Sequence, residues 1–224
     1  MLADIDALLR AEGRFEAGRD VYPWRNLAII LLAGGFLFGA VMGSYGARGV
    51  QALYSGLKVP LLVGASTLIA LPSFFVINAL LGLRDDFARA VRAILTAQGT
   101  VAACLTGVAS LVAFVYLSGI GYSGAILFNG ACFLAAALAG QVTLGRQYRP
   151  LIARNPLHRW GRAAWLTLYV FVAIQMAWTL RPFVGDPTLR TRFIRSGEIG
   201  NAYVEVAGVI WRFVQGLAPG PSSY

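Results

Sequence analysis

Charged side chains are scarce in this sequence. Of its 224 residues only 13% are Asp, Glu, Lys or Arg, whereas about a quarter of the residues in a soluble domain are charged. This balance excludes an ordinary soluble domain and is typical of a polytopic membrane protein.

Histidine and cysteine are too few for most metal and redox chemistry. A structural zinc site takes four His or Cys ligands, but His158 is the only histidine and Cys104 and Cys132 are not in a C-x-x-C motif. We expect His158 to lie at the membrane interface beside Pro156 and Trp160. We expect the cysteines to be small apolar fillers. The sequence therefore predicts no metal site and no cofactor.

Catalytic signatures are also absent. No Asp, Glu, Lys, Arg or His lies in the interior of a predicted span, although proton-coupled transporters usually carry a buried ionisable group. The sequence has no Gly-rich phosphate loop, no G-x-S-x-G turn and no H-E-x-x-H motif. These absences predict a protein that is not an enzyme.

Long apolar segments dominate what remains. The chain is 58% hydrophobic with a mean hydropathy of +0.66. About twenty apolar residues at 1.5 Å per residue cross a hydrocarbon layer of roughly 30 Å. The sequence predicts an all-α, polytopic membrane helical bundle of about five transmembrane helices with terminal amphipathic helices. We expect these spans at residues 27–46, 59–83, 93–118, 125–145 and 163–181.

Two of the links between the spans are predicted to be helical. Residues 47–58 fit a short helix along the membrane interface, followed by Pro60 in the first turn of the second span and a kink at Pro72. The charged segment 84–92 is expected to continue as a helical turn into the third span.

The other two links are predicted to lack helix. The uncharged segment 118–124 predicts a tight turn that makes the third and fourth spans an antiparallel hairpin. The link 146–162 is interrupted by Pro150 and Pro156 and is expected to be irregular.

The chain is predicted to form one membrane domain, residues 27–182, between two terminal segments. Residues 1–26 form a cytoplasmic amphipathic segment in which Asp6 and Arg10 have the spacing of a helical ion pair. Residues 183–224 form an extracytoplasmic tail. Within the tail, residues 199–217 have an apolar helical face, which predicts an interfacial amphipathic helix, with a sixth span as the alternative.

The distribution of arginine predicts the orientation. With the N-terminus inside, the links on the cytoplasmic side carry most of the cations, and the C-terminus lies outside. Orientation therefore explains the net charge of +9, and we expect no nucleic-acid partner. The preference for Arg over Lys, with abundant Ala and Gly, indicates a GC-rich genome and hence a bacterial inner membrane. Five cytoplasmic arginines either contact anionic lipid or only orient the chain: Arg146, Arg149, Arg154, Arg159 and Arg162.

Three glycines form a ridge along the first span. Gly35, Gly39 and Gly43 recur every four residues, so they lie on one helix face and allow a neighbouring backbone to approach closely. This ridge packs either against another span of the same chain or against another subunit.

The predicted spans contain amides instead of charges. In lipid such side chains are expected to face the bundle interior and hydrogen-bond across helices. Alternatively, they line a narrow uncharged pore or ligand cleft. The residues are Asn78, Gln98, Asn129, Gln141 and Gln175.

One stretch supports a resemblance to a known family. The five-span layout and the segment Leu80-Leu81-Gly82-Leu83-Arg84-Asp85-Asp86-Phe87, a short polar link between two long spans, are similar to the Yip family of membrane proteins. The resemblance implies a scaffold or adaptor role without catalysis.

Two functional hypotheses arise from the sequence. The first is a non-enzymatic integral membrane subunit that scaffolds or anchors a larger inner-membrane protein complex. The alternative is a channel or permeability effector with an uncharged polar pore. The expected partners are the lipid bilayer and other membrane protein subunits or further copies of this chain.

Overall fold

The computed structural model describes residues 2–10, 15, 22–185 and 191–194. Six α-helices and no β-strand occur in this part of the chain, which confirms the all-α class. The predicted amphipathic helix at 199–217 lies outside the described residues, as does most of the tail. The helices are α1 (Leu2–Arg10), α2 (Trp24–Gly43), α3 (Gly49–Leu80), α4 (Phe87–Leu117), α5 (Tyr122–Arg154) and α6 (His158–Thr179).

Four of these helices, α2 to α5, are long and apolar enough to cross a membrane, as in a membrane protein. Helix α6 has 22 residues, or about 33 Å at 1.5 Å per residue, but it is not among those four. The fifth membrane span therefore stays a prediction.

The long helices form an antiparallel bundle. Helix α2 lies between α3 and α4, α5 packs along α4, and α6 packs along α3. One hydrophobic core joins Phe74, Ile94, Tyr148 and Trp165 from α3 to α6, and a second core includes α2.

The bundle has two ends that differ in charge. At one end, which we call the arginine end, Tyr22 meets Arg92 and His158 meets Asp86. At the opposite end the Tyr45 hydroxyl donates to the Ile120 carbonyl. These contacts place the connections between helices in two groups, one at each end of the bundle. Each of the helices α2 to α6 therefore runs from one end to the other.

Residues 49–58 are the first part of α3, so the prediction of a separate interfacial helix is wrong. Pro60 accordingly lies inside α3 and not in a first turn. The prediction failed because the polar face of this segment is buried while its apolar face is exposed. The buried residues are Gln51, Ser55 and Lys58, and the exposed ones are Val50, Leu53 and Leu57.

The irregular link predicted at 146–162 is wrong for most of its length. Helix α5 continues through Pro150 to Arg154, and only residues 155–157 separate it from α6. Proline removes one helical hydrogen bond, but Tyr148 and Leu151 on either side of it are buried in the core, and this packing maintains the helix.

Two predicted links are confirmed. Residues 118–121 form the tight turn between α4 and α5, with Gly119 at φ +81°. Residues 84–86 form a 3₁₀ turn that leads into α4. Before that turn, Gly82 at φ +70° ends α3 in a Schellman motif, in which the Leu83 amide donates to the Asn78 carbonyl.

The glycine ridge of α2 packs against α3 of the same chain. A Cβ at Gly39 would overlap the Ser55 carbonyl, and one at Gly43 would lie 2.8 Å from the Cα of Ala52. Gly35 faces Pro60, since a Cβ at Gly35 would lie 3.3 Å from the Pro60 nitrogen. All three glycines are therefore covered by α3, and another subunit would have to bind elsewhere.

Helix α2 contacts two neighbours through small residues. Adjacent residues of a helix point about 100° apart. Gly34 accordingly faces α4, with Ala102 O 3.2 Å from the position of a Cβ, whereas the ridge of Gly35, Gly39 and Gly43 faces α3. The helix also contains a π-helical turn at Ile30–Gly34.

We expect the substitution Gly39→Ala to destabilise the bundle by about 1–3 kcal/mol, because the new methyl group would push the backbones of α2 and α3 apart. The measurement is thermal or denaturant unfolding in detergent, monitored by tryptophan fluorescence. Gly64→Ala is the control, since a Cβ at Gly64 on α3 meets nothing within 4 Å. Equal stability of the two variants would contradict the prediction.

Candidate functional site

Buried polar side chains converge at three places in the described residues. One holds the N-terminal segment, one holds the segment that comes after α6, and one joins two links at the arginine end. We call them the N-terminal attachment, the C-terminal attachment and the Asp86–His158 pair.

The N-terminal attachment fixes the main chain before α2 to the bundle. Gln147 Nε2 on α5 donates to the carbonyl of Phe15 at 2.8 Å, and Thr96 Oγ1 on α4 lies 3.3 Å from the same oxygen. The Phe15 side chain is fully buried. Two helices of the bundle therefore bind one main-chain carbonyl of the N-terminal segment.

Further contacts extend this attachment on both sides. The Tyr22 hydroxyl lies 2.5 Å from Thr96 Oγ1, and Arg92 lies over the Tyr22 ring at 6.0 Å. Leu8 of α1 is buried beside Gly99 of α4, where a Cβ would lie 3.2 Å from Cδ2 of Leu8. Helix α1 thus docks on α4, and its predicted Asp6–Arg10 ion pair forms at 3.0 Å on the exposed side.

The C-terminal attachment uses the same kind of hydrogen bond at the opposite end. Gln51 Nε2 of α3 donates to the carbonyls of Pro182 and Phe183, at 3.1 and 3.2 Å. Ser55 Oγ also donates to the Phe183 carbonyl, and Lys58 Nζ donates to the Pro182 carbonyl. Three side chains on one face of α3 therefore bind the main chain directly after α6.

Lys58 is the only lysine in the chain and is completely buried. Its ammonium group lies 5.8 Å from the ring of Phe183 and 5.2 Å from that of Phe193. Among the described residues no carboxylate pairs with it. The carbonyl and the two aromatic rings therefore stabilise its charge. Sequence analysis missed this residue because Lys58 stands just before the predicted second span.

The Asp86–His158 pair joins the α3–α4 link to the first residue of α6. His158 Nε2 lies 3.3 Å from Asp86 Oδ2, and Arg89 donates to Asp86 Oδ1 at 2.6 Å. The predicted position of His158 at the membrane interface stays a prediction, but His158 is completely buried within the protein. It is buried because α5 extends beyond its predicted end and brings Tyr148 against the imidazole, with ring centroids 6.3 Å apart.

The same region holds two buried polar atoms that have no hydrogen-bond partner in the described protein. They are the Tyr148 hydroxyl and His158 Nδ1. Nearby, Gly161 of α6 faces Asn78 of α3, since a Cβ there would be in ordinary contact with Asn78 Oδ1 at 3.5 Å. The five arginines predicted to contact lipid surround this region on α5 and α6, and all five are exposed: Arg146, Arg149, Arg154, Arg159 and Arg162.

The interior amides bond to several different partners. Asn78 Nδ2 donates to the Phe74 carbonyl at 2.9 Å, close to the arginine end. Asn129 Nδ2 lies 2.6 Å from the Tyr116 hydroxyl near the opposite end, and Gln98 Oε1 accepts from Tyr169. All three are buried, whereas Gln141 and Gln175 are half-buried. A continuous path along these residues stays a prediction.

Other chemistry-bearing residues are dispersed in the part of the chain that is described. Cys104 and Cys132 are both free thiols. Within these residues no group of three His, Cys, Asp or Glu side chains is placed to hold a metal ion.

Comparison with protein-family models, curated proteins and solved structures finds no match to this chain. The resemblance to the Yip family therefore rests on the layout of the spans and the link at residues 80–87 alone.

We expect Asp86→Asn to lower the free energy of unfolding by about 1–3 kcal/mol, because the amide loses the charge-assisted bond to Arg89 and leaves the buried His158 poorly paired. Unfolding in detergent measures the change. Asp85→Asn is the matched control, since Asp85 is the adjacent carboxylate and is exposed. A loss of the same size in both variants would show that net charge, and not the pair, is responsible.

Proposed function

We propose that this protein is a non-enzymatic integral membrane subunit that scaffolds or anchors a larger complex in a bacterial inner membrane. The observation that supports this proposal best is that side chains of the bundle bind the main chain on both sides of it in the sequence. The main chain before α2 is bound by Gln147 and Thr96, and the main chain after α6 is bound by Gln51, Ser55 and Lys58.

Fixed terminal segments suit a scaffold for an energetic reason. A partner that binds a mobile segment has to offset the entropy lost when the segment becomes ordered, whereas a docked segment is already ordered. Because the two attachments lie at opposite ends of the bundle, they support contact with partners on both sides of the membrane. We propose that the N-terminal segment is cytoplasmic and the C-terminal one extracytoplasmic.

Partners within the membrane would bind the outward aliphatic faces of the long helices. The glycine ridge is covered by α3, but large aliphatic side chains are exposed on α3 and α5. Examples are Leu61, Leu68 and Ile69 on α3 and Leu127, Leu134 and Leu138 on α5. Lipid and partner helices compete for these faces, so packing shape and not hydrophobicity would select the partner.

We expect Gln147→Leu to release the N-terminal segment and to reduce co-purification of partner proteins in mild detergent. The substitution removes the donor to Phe15 and keeps a side chain of similar size. Gln141→Leu is the control, because Gln141 is half-buried on the same helix and is not part of the attachment. Affinity purification and then quantitative mass spectrometry measure the partners.

The outcomes separate the proposal from its alternatives. Stoichiometric partners of the wild-type protein that are lost from Gln147→Leu but not from Gln141→Leu support it. A wild-type protein that purifies only as copies of itself, or that turns over a lipid substrate, would overturn it.

A channel with an uncharged polar lining is the second candidate. It is favoured by the burial of Asn78, Gln98 and Asn129 in the bundle interior, where Asn129 Oδ1 has no hydrogen-bond partner. Purified protein in planar bilayers should then conduct, and Asn129→Leu should change the conductance. Bilayers that stay silent across voltages would remove this candidate.

A further inference from the structure

We propose that the cleft between α5 and α6 at the arginine end binds the phosphate headgroup of an anionic phospholipid. This site is independent of the protein partners of the proposed scaffold. It is defined by Arg149, Arg159 and Arg162 at its mouth and by Tyr148 and His158 at its base.

Among the described residues, no carboxylate pairs with the arginines of this region. The sequence contains no Asp or Glu between Asp86 and Asp186, a stretch that includes α4, α5 and α6. The carboxylate of Asp86 is already hydrogen-bonded to Arg89 and His158. Arg149, Arg159 and Arg162 are exposed, and each lacks an ion pair with the described residues.

The connection between α5 and α6 produces the cleft. The link of residues 155–157 brings the two helices together at the arginine end. Away from it, α5 runs along α4 and α6 runs along α3, and the two make few contacts with each other. The two helices therefore meet at the link and pack on different neighbours beyond it.

An arginine of α6 reaches across to α5. The guanidinium of Arg162 lies against α5, with one nitrogen 3.3 Å from the position of a Cβ at Gly145. Gly145 and Arg149 are four residues apart and share a helix face, as Arg159 and Arg162 do at a spacing of three. Cations that are brought together without a carboxylate repel each other, and a bound phosphate removes this repulsion.

The two unpartnered buried atoms give an independent reason to place a ligand here. The Tyr148 hydroxyl and His158 Nδ1 are buried at the arginine end, and the centroids of the two rings lie 6.3 Å apart. A buried polar atom without a hydrogen-bond partner lowers the stability of the fold, because its lost hydration is not replaced. A headgroup oxygen, or a water that it orders, would supply the missing hydrogen bonds.

The walls of the cleft indicate a lipid as the source of the phosphate. Leu138 and Val142 of α5 and Leu166 and Val170 of α6 are exposed on the apolar parts of the same two helices. Trp160 beside Arg159 is 68% exposed, as is usual for a tryptophan at headgroup depth. A free phosphate ion would leave these aliphatic side chains uncovered, whereas acyl chains would cover them.

The test uses the full-length protein, delipidated in an uncharged detergent and titrated with phosphatidylglycerol. We expect the melting temperature to rise with lipid concentration and native mass spectrometry to detect a retained lipid. Phosphatidylcholine and inorganic phosphate at equal concentrations should have no such effect. At about 1 kcal/mol for each charge, the triple variant R149Q/R159Q/R162Q should bind phosphatidylglycerol about a hundredfold more weakly.

Arg84→Gln is the matched control, because it removes an exposed charge at the same end but outside the cleft. Undiminished binding by this variant and weakened binding by the triple variant support the site. An equal loss for each charge removed, about fivefold in Arg84→Gln and about a hundredfold in the triple variant, would show diffuse surface charge, and an equal response to inorganic phosphate would show a free anion as ligand; either result overturns the proposal. If the triple variant does not fold, Arg159→Gln alone serves the same comparison, with about fivefold weaker binding expected.

Discussion

The close contact between α2 and the first part of α3 determines how the rest of the bundle is arranged. Because Gly39 and Gly43 have no side chains, the backbone of α2 lies directly against the carbonyls of Ser55 and Gln51. The side chains of these same two residues bind the main chain after α6. One short stretch of α3 therefore connects α2 on one side to the C-terminal attachment on the other.

The main chain before α2 and the main chain after α6 are held by the same chemistry, which is a consequence of the bilayer as solvent. A main-chain carbonyl inside an apolar environment needs a donor, and an unsatisfied one costs several kcal/mol. Side chains of the bundle supply the donors, Gln147 for Phe15 and Lys58 for Pro182. Polar residues on these helices therefore stabilise irregular main chain as well as helix-to-helix contacts.

Sequence reasoning succeeded where local patterns decide the structure. Apolar length predicted the membrane helices, and the glycine-rich turn at 118–121 predicted the hairpin. It failed where contacts with distant parts of the chain decide which side chains are buried. Polar side chains were assigned to links between the helices, although they are buried in the fold. Gln51 and Lys58 are buried by a segment far away in the chain, and His158 by Asp86 and Tyr148. No pattern within the N-terminal part of α3 or in the α5–α6 link reveals those partners.

The burial of the only lysine has a consequence for chemical probing. In the folded chain, Lys58 is shielded by Pro182, Phe183 and Phe193, so acylating reagents have no accessible side-chain amine to modify. An endoprotease specific for lysine likewise has one site, within α3, and finds it protected. Acylation or cleavage at Lys58 therefore reports directly on release of the C-terminal attachment, with no background from other side chains.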